Sequence, residues 1–198
     1  MVVCMTKKTG LETVKVYEEV FDMKSFEFLE KFNEASKEVD GQRLHQIVEQ
    51  CFSDKHIYVG KGSLNLLVCI EEIAELVEQL SLARVGSGTE HDLVQEIADV
   101  LICLELLKQY TGTTDMTGIF SFKGYYDYTS AIRNLVCCQQ QITKVLRGIL
   151  PANELKQTIC TMYSVVDWML GFFKLSAEKV NKAVNVKLDR LSQLEEFR

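Results

Sequence analysis

The stretch EIADVLICLELL, residues 96 to 107, decides how this chain is read. Its apolar residues recur at helical spacing and leave little of the surroundings to water. Asp99 sits among them, beside Val100, Cys103 and Leu106 on a helical wheel. Between Ile97 and Leu107 the only other charged residue is Glu105. A carboxylate in such a place shifts its pKa, finds a cation, or destabilises the helix that carries it.

Outward from this helix the chain keeps the same period. One proline in 198 residues, with sparse glycine, suits long helices. Helical spacing predicts helices from Ser25 to before Asp40, over Gln42–Phe52, and from a capping Ser63 to about Arg84. Gly86-Ser87-Gly88 breaks the chain. Thr89 with Asp92 three residues on then resembles a capping box, with Asp where Glu is usual, and opens a helix running to about Tyr110. Residues 111–128 read as a loop. Further helices are expected near Thr129–Gly148 and Asn153–Leu175, separated by Pro151, and a last one over 176–195. The fold class is all-α, with residues 1–22 unassigned and 23–198 forming a single domain.

Composition narrows the function. With 47% hydrophobic and 25% charged residues the chain has the composition of a globular protein. A net charge of -6 leaves no excess of Lys and Arg to coat a nucleic acid polymer. Seven scattered cysteines form no CxxC and no zinc spacing, so they read as reduced thiols packed as small hydrophobes. No apolar run is long enough for a signal peptide or a membrane span, and the expectation is a cytoplasmic protein without membrane attachment.

The helix before the glycine break contains CIEEIAELVEQL, residues 69 to 80. Its inward stripe reads Leu66, Cys69, Ile70, Ile73, Val77 and Leu80, with Glu72 on the flank and Glu75 one turn on. Glu96 and Asp99 repeat that spacing on the next helix. A short connection makes the two helices antiparallel neighbours, so the two pairs can face each other. Like charges about 4 Å apart repel by roughly 4 kcal/mol at an effective dielectric near 20. A divalent cation reverses that sign, and an all-oxygen set without histidine favours Mg²⁺, with Mn²⁺ as the other candidate. ExxE alone is as readily a solvated helix face; Asp99 inside an apolar helix is harder to explain that way. No histidine has Glu three residues before it, which excludes a carboxylate-bridged iron bundle. VGKGS (59–63) lacks the first glycine of a phosphate loop and reads as a turn.

With EIAE (Glu72, Glu75), twenty intervening residues and EIAD (Glu96, Asp99), the sequence resembles the MazG-like family of all-α nucleoside triphosphate pyrophosphohydrolases. The likeness covers residues 62 to 110; Gln95 departs from it where a second glutamate is frequent. It implies a MazG-like helical bundle whose catalytic hairpin is 63–110. It also implies Mg²⁺-dependent cleavage between the α- and β-phosphates of a nucleoside triphosphate, giving the monophosphate and pyrophosphate. Glu72, Glu75, Glu96 and Asp99 would carry the metal, with Glu72 and the adjacent Glu71 as candidate catalytic residues. The C-terminal VNKAVNVKLDRL is similar to the family's last helix, which nominates Asn185, Lys187 and Arg190 for the nucleotide. Basic residues near a helix C-terminus also serve simply as surface.

Residues 129–175 carry an echo of the catalytic hairpin. CQQQITKVL (138–146) lies on CIEEIAELV (69–77), and SVVDWML (164–170) on EIADVLI (96–102). The four acids become Gln141, Lys144, Ser164 and Asp167, as in a copy that has lost its metal site. Helical text also matches by chance, so both readings stand. If the copy is real it supplies a partner surface inside one chain, and a homodimer is expected. The alternative function is a helical nucleotide-binding or interaction module of the same fold without turnover. Tyr58, Phe120, Phe122, Tyr125, Tyr126 and Trp168 are candidates to stack on a base, though such aromatics more often belong to core or an oligomer interface.

Overall fold

A computed structural model describes residues 41–57, 62–113 and 127–193. The helix expected from Ser25, the N-terminal segment, five of the six candidate stacking aromatics and most of VGKGS lie outside them. Among the described residues the chain is all-α: α1 (Gly41–Asp54), α2 (Ser63–Arg84), α3 (Glu90–Thr111), α4 (Tyr128–Leu146), α5 (Leu155–Phe172) and α6 (Ala177–Leu191), with a 3-10 turn at Ala152–Glu154. No helix among them is long and apolar enough to cross a membrane.

The ends of these helices follow local chemistry. Ser63 does not cap α2, as the sequence suggested; it is the first helical residue, and Gly62 stands at the cap with extended backbone and no side-chain bond. The turn after α2 needs its glycines. Gly86 has φ +75, and a Cβ on Gly88 would lie 2.9 Å from the backbone nitrogen of Ala83. Thr89 caps α3, its hydroxyl oxygen accepting from Asp92 N at 3.1 Å. The Asp92 carboxylate accepts from the Thr89 hydroxyl at 2.6 Å, so the pair makes half of a capping box. A full box stands at α4, where Asp127 accepts from Ser130 N at 2.6 Å and Ser130 Oγ accepts from Asp127 N at 2.8 Å. Gly112 ends α3 with φ +67.

Packing explains the apolar patterns. On α2, Leu66, Cys69, Ile73, Leu76 and Leu80 are fully buried, while Ile70 and Val77 are half-buried. The stripe is wide because α2 lies between α3 and α4. Helix α3 is the centre: it touches α1, α2, α5 and α6, and every residue from Val100 through Lys108 is buried. Each fully buried Leu or Ile contributes about 1.5–3 kcal/mol over its exposed state.

Helix directions follow from the bonds between them. Gln139 Nε2 donates to the carbonyl of Ile70 at 2.8 Å, and Arg84 Nη1 to Thr129 Oγ1 at 3.4 Å, so α2 and α4 run antiparallel. Together with the short turns of the two hairpins, this makes α3 and α5 antiparallel. Gln139 is also the residue the echo lays on Ile70, so matching positions meet where the two hairpins cross. Helix α6 runs parallel to α3, joined to it by Lys179–Glu90 at 2.6 Å and by Lys187–Asp99.

Two buried polar groups anchor α1 and α5 to this bundle. Lys108 Nζ donates to both oxygens of Glu105 at 3.0 Å, and the Tyr163 hydroxyl donates to Glu105 Oε1 at 2.8 Å. Glu49 of α1 stands 3.3 Å from the same ammonium. His45, also of α1, bonds Asp167 of α5 at 2.9 Å. Burying such charges is tolerated only when partners satisfy them, and here they are satisfied. Trp168 is core, 1% exposed and stacked on Phe172 with ring centres 5.0 Å apart, which removes it as a surface for a base.

Candidate metal centre

Helices α2 and α3 meet residue against residue in steps of one turn. The Cys69 thiol donates to the carbonyl of Cys103 at 3.7 Å, beside the free Cys103 thiol. One turn along, Glu72 faces Asp99, and one turn further Glu75 faces Glu96. Ligand oxygens of Glu72, Glu75 and Glu96 all lie within 4.8 Å of one another. The helical spacing therefore brings three of the four acids of the sequence together, with Asp99 beside Glu72 and outside that group.

Glu72, Glu96 and Asp99 resist ionisation. Burial pushes the Glu72 carboxyl up to about 7, helped by the charges of Asp99, Glu75 and Glu96. Burial likewise raises Glu96 to about 7, with Asp99 and Glu75 adding to it. Asp99 is raised by burial too, and the Lys187 ammonium pulls it back toward ordinary values. Glu96 Oε2 is buried without a hydrogen-bond partner. An orphaned carboxylate oxygen among acids at this separation fits a hard cation, since the donors are oxygen only.

The sequence-nominated residues divide here. Glu71 is exposed and stands outside the three acids that converge. Lys187 reaches the site: its ammonium bonds Asp99 Oδ2, with side chains 22% and 19% exposed. Asn185 is occupied elsewhere, accepting from the Cys51 thiol at 3.5 Å and donating to the Asn181 carbonyl at 3.0 Å. Arg190 is exposed in the last turn of α6. The pairing of Lys187 with Asp99 was missed in the sequence, where only the basic stripe of α6 hinted at it. The His45–Asp167 bond had no sequence signal at all.

Cys69, Cys103 and Cys138 are buried packing groups, as their apolar neighbours suggested, while Cys51 and Cys160 are half-buried and Cys137 is exposed. The bond with Cys69 and then burial push the Cys103 thiol up, and burial takes Cys138 to about 12. Cys51, Cys69, Cys103, Cys137, Cys138 and Cys160 are all free.

Compared with protein-family models, with curated proteins and with solved structures, the chain gave no match.

Proposed function

We propose that this chain is a divalent-cation-dependent nucleoside triphosphate pyrophosphohydrolase. The convergence of Glu72, Glu75 and Glu96 across the α2–α3 hairpin, with Asp99 one step away, carries that reading. Glu72, Glu75, Glu96 and Asp99 would hold Mg²⁺ or Mn²⁺. Bound there, the ion supplies positive charge for the phosphates and makes a nearby water more acidic. The MazG-like pattern implies attack at the α-phosphorus, so that pyrophosphate would leave as one unit. Lys187 brings a cation to the same place from α6. Glu71, exposed on α2, has no part in this assignment.

The likeness of EIAE and EIAD to the MazG-like pattern supports the same reaction, and the antiparallel packing of α2 against α4 is consistent with an internal second hairpin. On that basis the chain is expected to form a homodimer, which light scattering checks. The decisive experiment incubates the protein with Mg²⁺ and each of the eight common nucleoside triphosphates. Pyrophosphate with monophosphate is the expected product pair. Orthophosphate alone removes this mechanism, and nucleotide binding without release favours a module that binds and does not turn over.

A further inference from the structure

Two lysines tie α6 to α3, and their settings differ. Lys179 and Glu90 meet on the surface, with side chains 64% and 56% exposed. Lys187 and Asp99 meet where little water reaches, at 22% and 19%. Between the two pairs Val180, Ala183 and Val184 are buried, and Leu188 follows, so α6 is held in one register. The Lys187 ammonium is thereby aimed at Asp99 by the packing of its own helix. The three glutamates lie within 4.8 Å of one another, and Asp99 is not in that group.

We propose that Lys187 is a built-in counter-ion that withholds Asp99 from the cation until an anionic substrate draws the ammonium away. The inference rests on the metal reading above and adds an order to it. An ammonium and a divalent cation on the same carboxylate oxygen repel each other, so only one occupies it at a time. In the nucleotide-free protein that oxygen belongs to Lys187, and a cation is held by Glu72, Glu75 and Glu96. A polyphosphate changes the balance because its oxygens offer the ammonium another partner. Asp99 is then released to join the site at the moment the substrate is present. Lys187 acts in this scheme as a positioning residue, through Asp99.

The test is a double-mutant cycle read by Mn²⁺ affinity, without nucleotide. Titration calorimetry compares wild type, Asp99→Asn, Lys187→Met and the double variant; Met keeps the apolar stem of Lys187 and removes its charge. If Lys187 masks Asp99, Asp99→Asn changes affinity by less than about twofold in the wild-type background. Lys187→Met tightens Mn²⁺ about tenfold, within the range over which contacting charges couple, and adding Asp99→Asn erases that gain. Lys187→Arg, which keeps the cation, leaves affinity near wild type. Circular dichroism melts establish that each variant is folded. Additive effects, with the gain kept in the double variant, overturn the proposal. So does a large loss from Asp99→Asn alone, and in both cases the metal site itself survives. Absence of Mn²⁺ binding in all four proteins removes the site and the proposal together.

Discussion

The hairpin of α2 and α3 and the hairpin of α4 and α5 bury matching positions and differ in the residues between them. Leu66, Cys69, Ile73 and Leu76 fall, in the order of the echo, on Leu135, Cys138, Ile142 and Val145, and all eight are buried. Ile97, Val100 and Leu101 fall on Val165, Trp168 and Met169, again all buried. The acids do not follow. Glu72, Glu75 and Glu96 correspond to Gln141, Lys144 and Ser164, and Ser164 turns its hydroxyl back to the Cys160 carbonyl at 3.0 Å. Asp99 and Asp167 keep the same residue but take different partners, Lys187 from α6 and His45 from α1. The spacing that builds a bundle and the residues that build a site are thus separable. A helix can hold its core register while the turn beside it changes chemistry.

The sharpest way to break that contrast is activity. Glu72→Gln is expected to lower pyrophosphate release by at least about 100-fold, more than loss of a ligand's supporting partner costs. Gln141→Ala and Lys144→Ala should leave it within about twofold. Equal losses in the two hairpins would mean that both contribute to one site.

Stability should show the opposite pattern. Ile73→Ala and Ile142→Ala remove side chains that are both 0% exposed, so each should cost about 2–5 kcal/mol in chemical denaturation. A small cost at Ile142 alone would show that the second hairpin packs loosely. A lesser effect is expected at the second aspartate. His45→Ala removes the partner of Asp167 and should cost about 1–3 kcal/mol, while Mn²⁺ affinity stays unchanged because His45 serves the other hairpin.

A pH dependence is also expected, and its sign follows from the raised carboxyls. Glu72 and Glu96 titrate at about 7 when folded and near 4.5 when unfolded. Between those values the folded protein binds more protons, so their contribution to stability is present below about 4.5 and is lost as pH rises through about 7. Without cation the melting temperature should therefore fall from pH 5 to pH 8 more steeply in wild type than in Glu72→Gln/Glu96→Gln. Saturating Mg²⁺ should flatten the wild-type slope. Identical slopes without cation would show that these two acids are not the ones being buried.

Much of the bundle was legible because helix burial repeats along the chain. The glycine break, the two acid pairs and the start of α6 all follow from residues within a few positions of each other. The α2 periodicity places Ile70 and Val77 too far inward and omits Leu76, because one helix alone does not reveal that its neighbours flank it on two sides. Ser63 looked like a cap from its residue type, yet the chain bends one residue earlier at Gly62. Partners far apart in sequence were not legible. Lys187 reaches Asp99 from 88 residues away and His45 reaches Asp167 from 122 away, and no local period encodes either approach. The period of α3 therefore marks Asp99 as an anomaly without naming its companion.

The stepwise meeting of α2 and α3 has a consequence for how such a molecule can change. Cys69 with Cys103, Glu72 with Asp99 and Glu75 with Glu96 are successive rungs of one ladder, each set by rigid helix on both sides. A rung can be replaced without moving its neighbours, much as a key is recut tooth by tooth on an unchanged blank. The thiol rung lies directly beside the carboxylate rungs. Two substitutions there would lengthen the row of acids by a full turn and leave the hairpin that holds it in place.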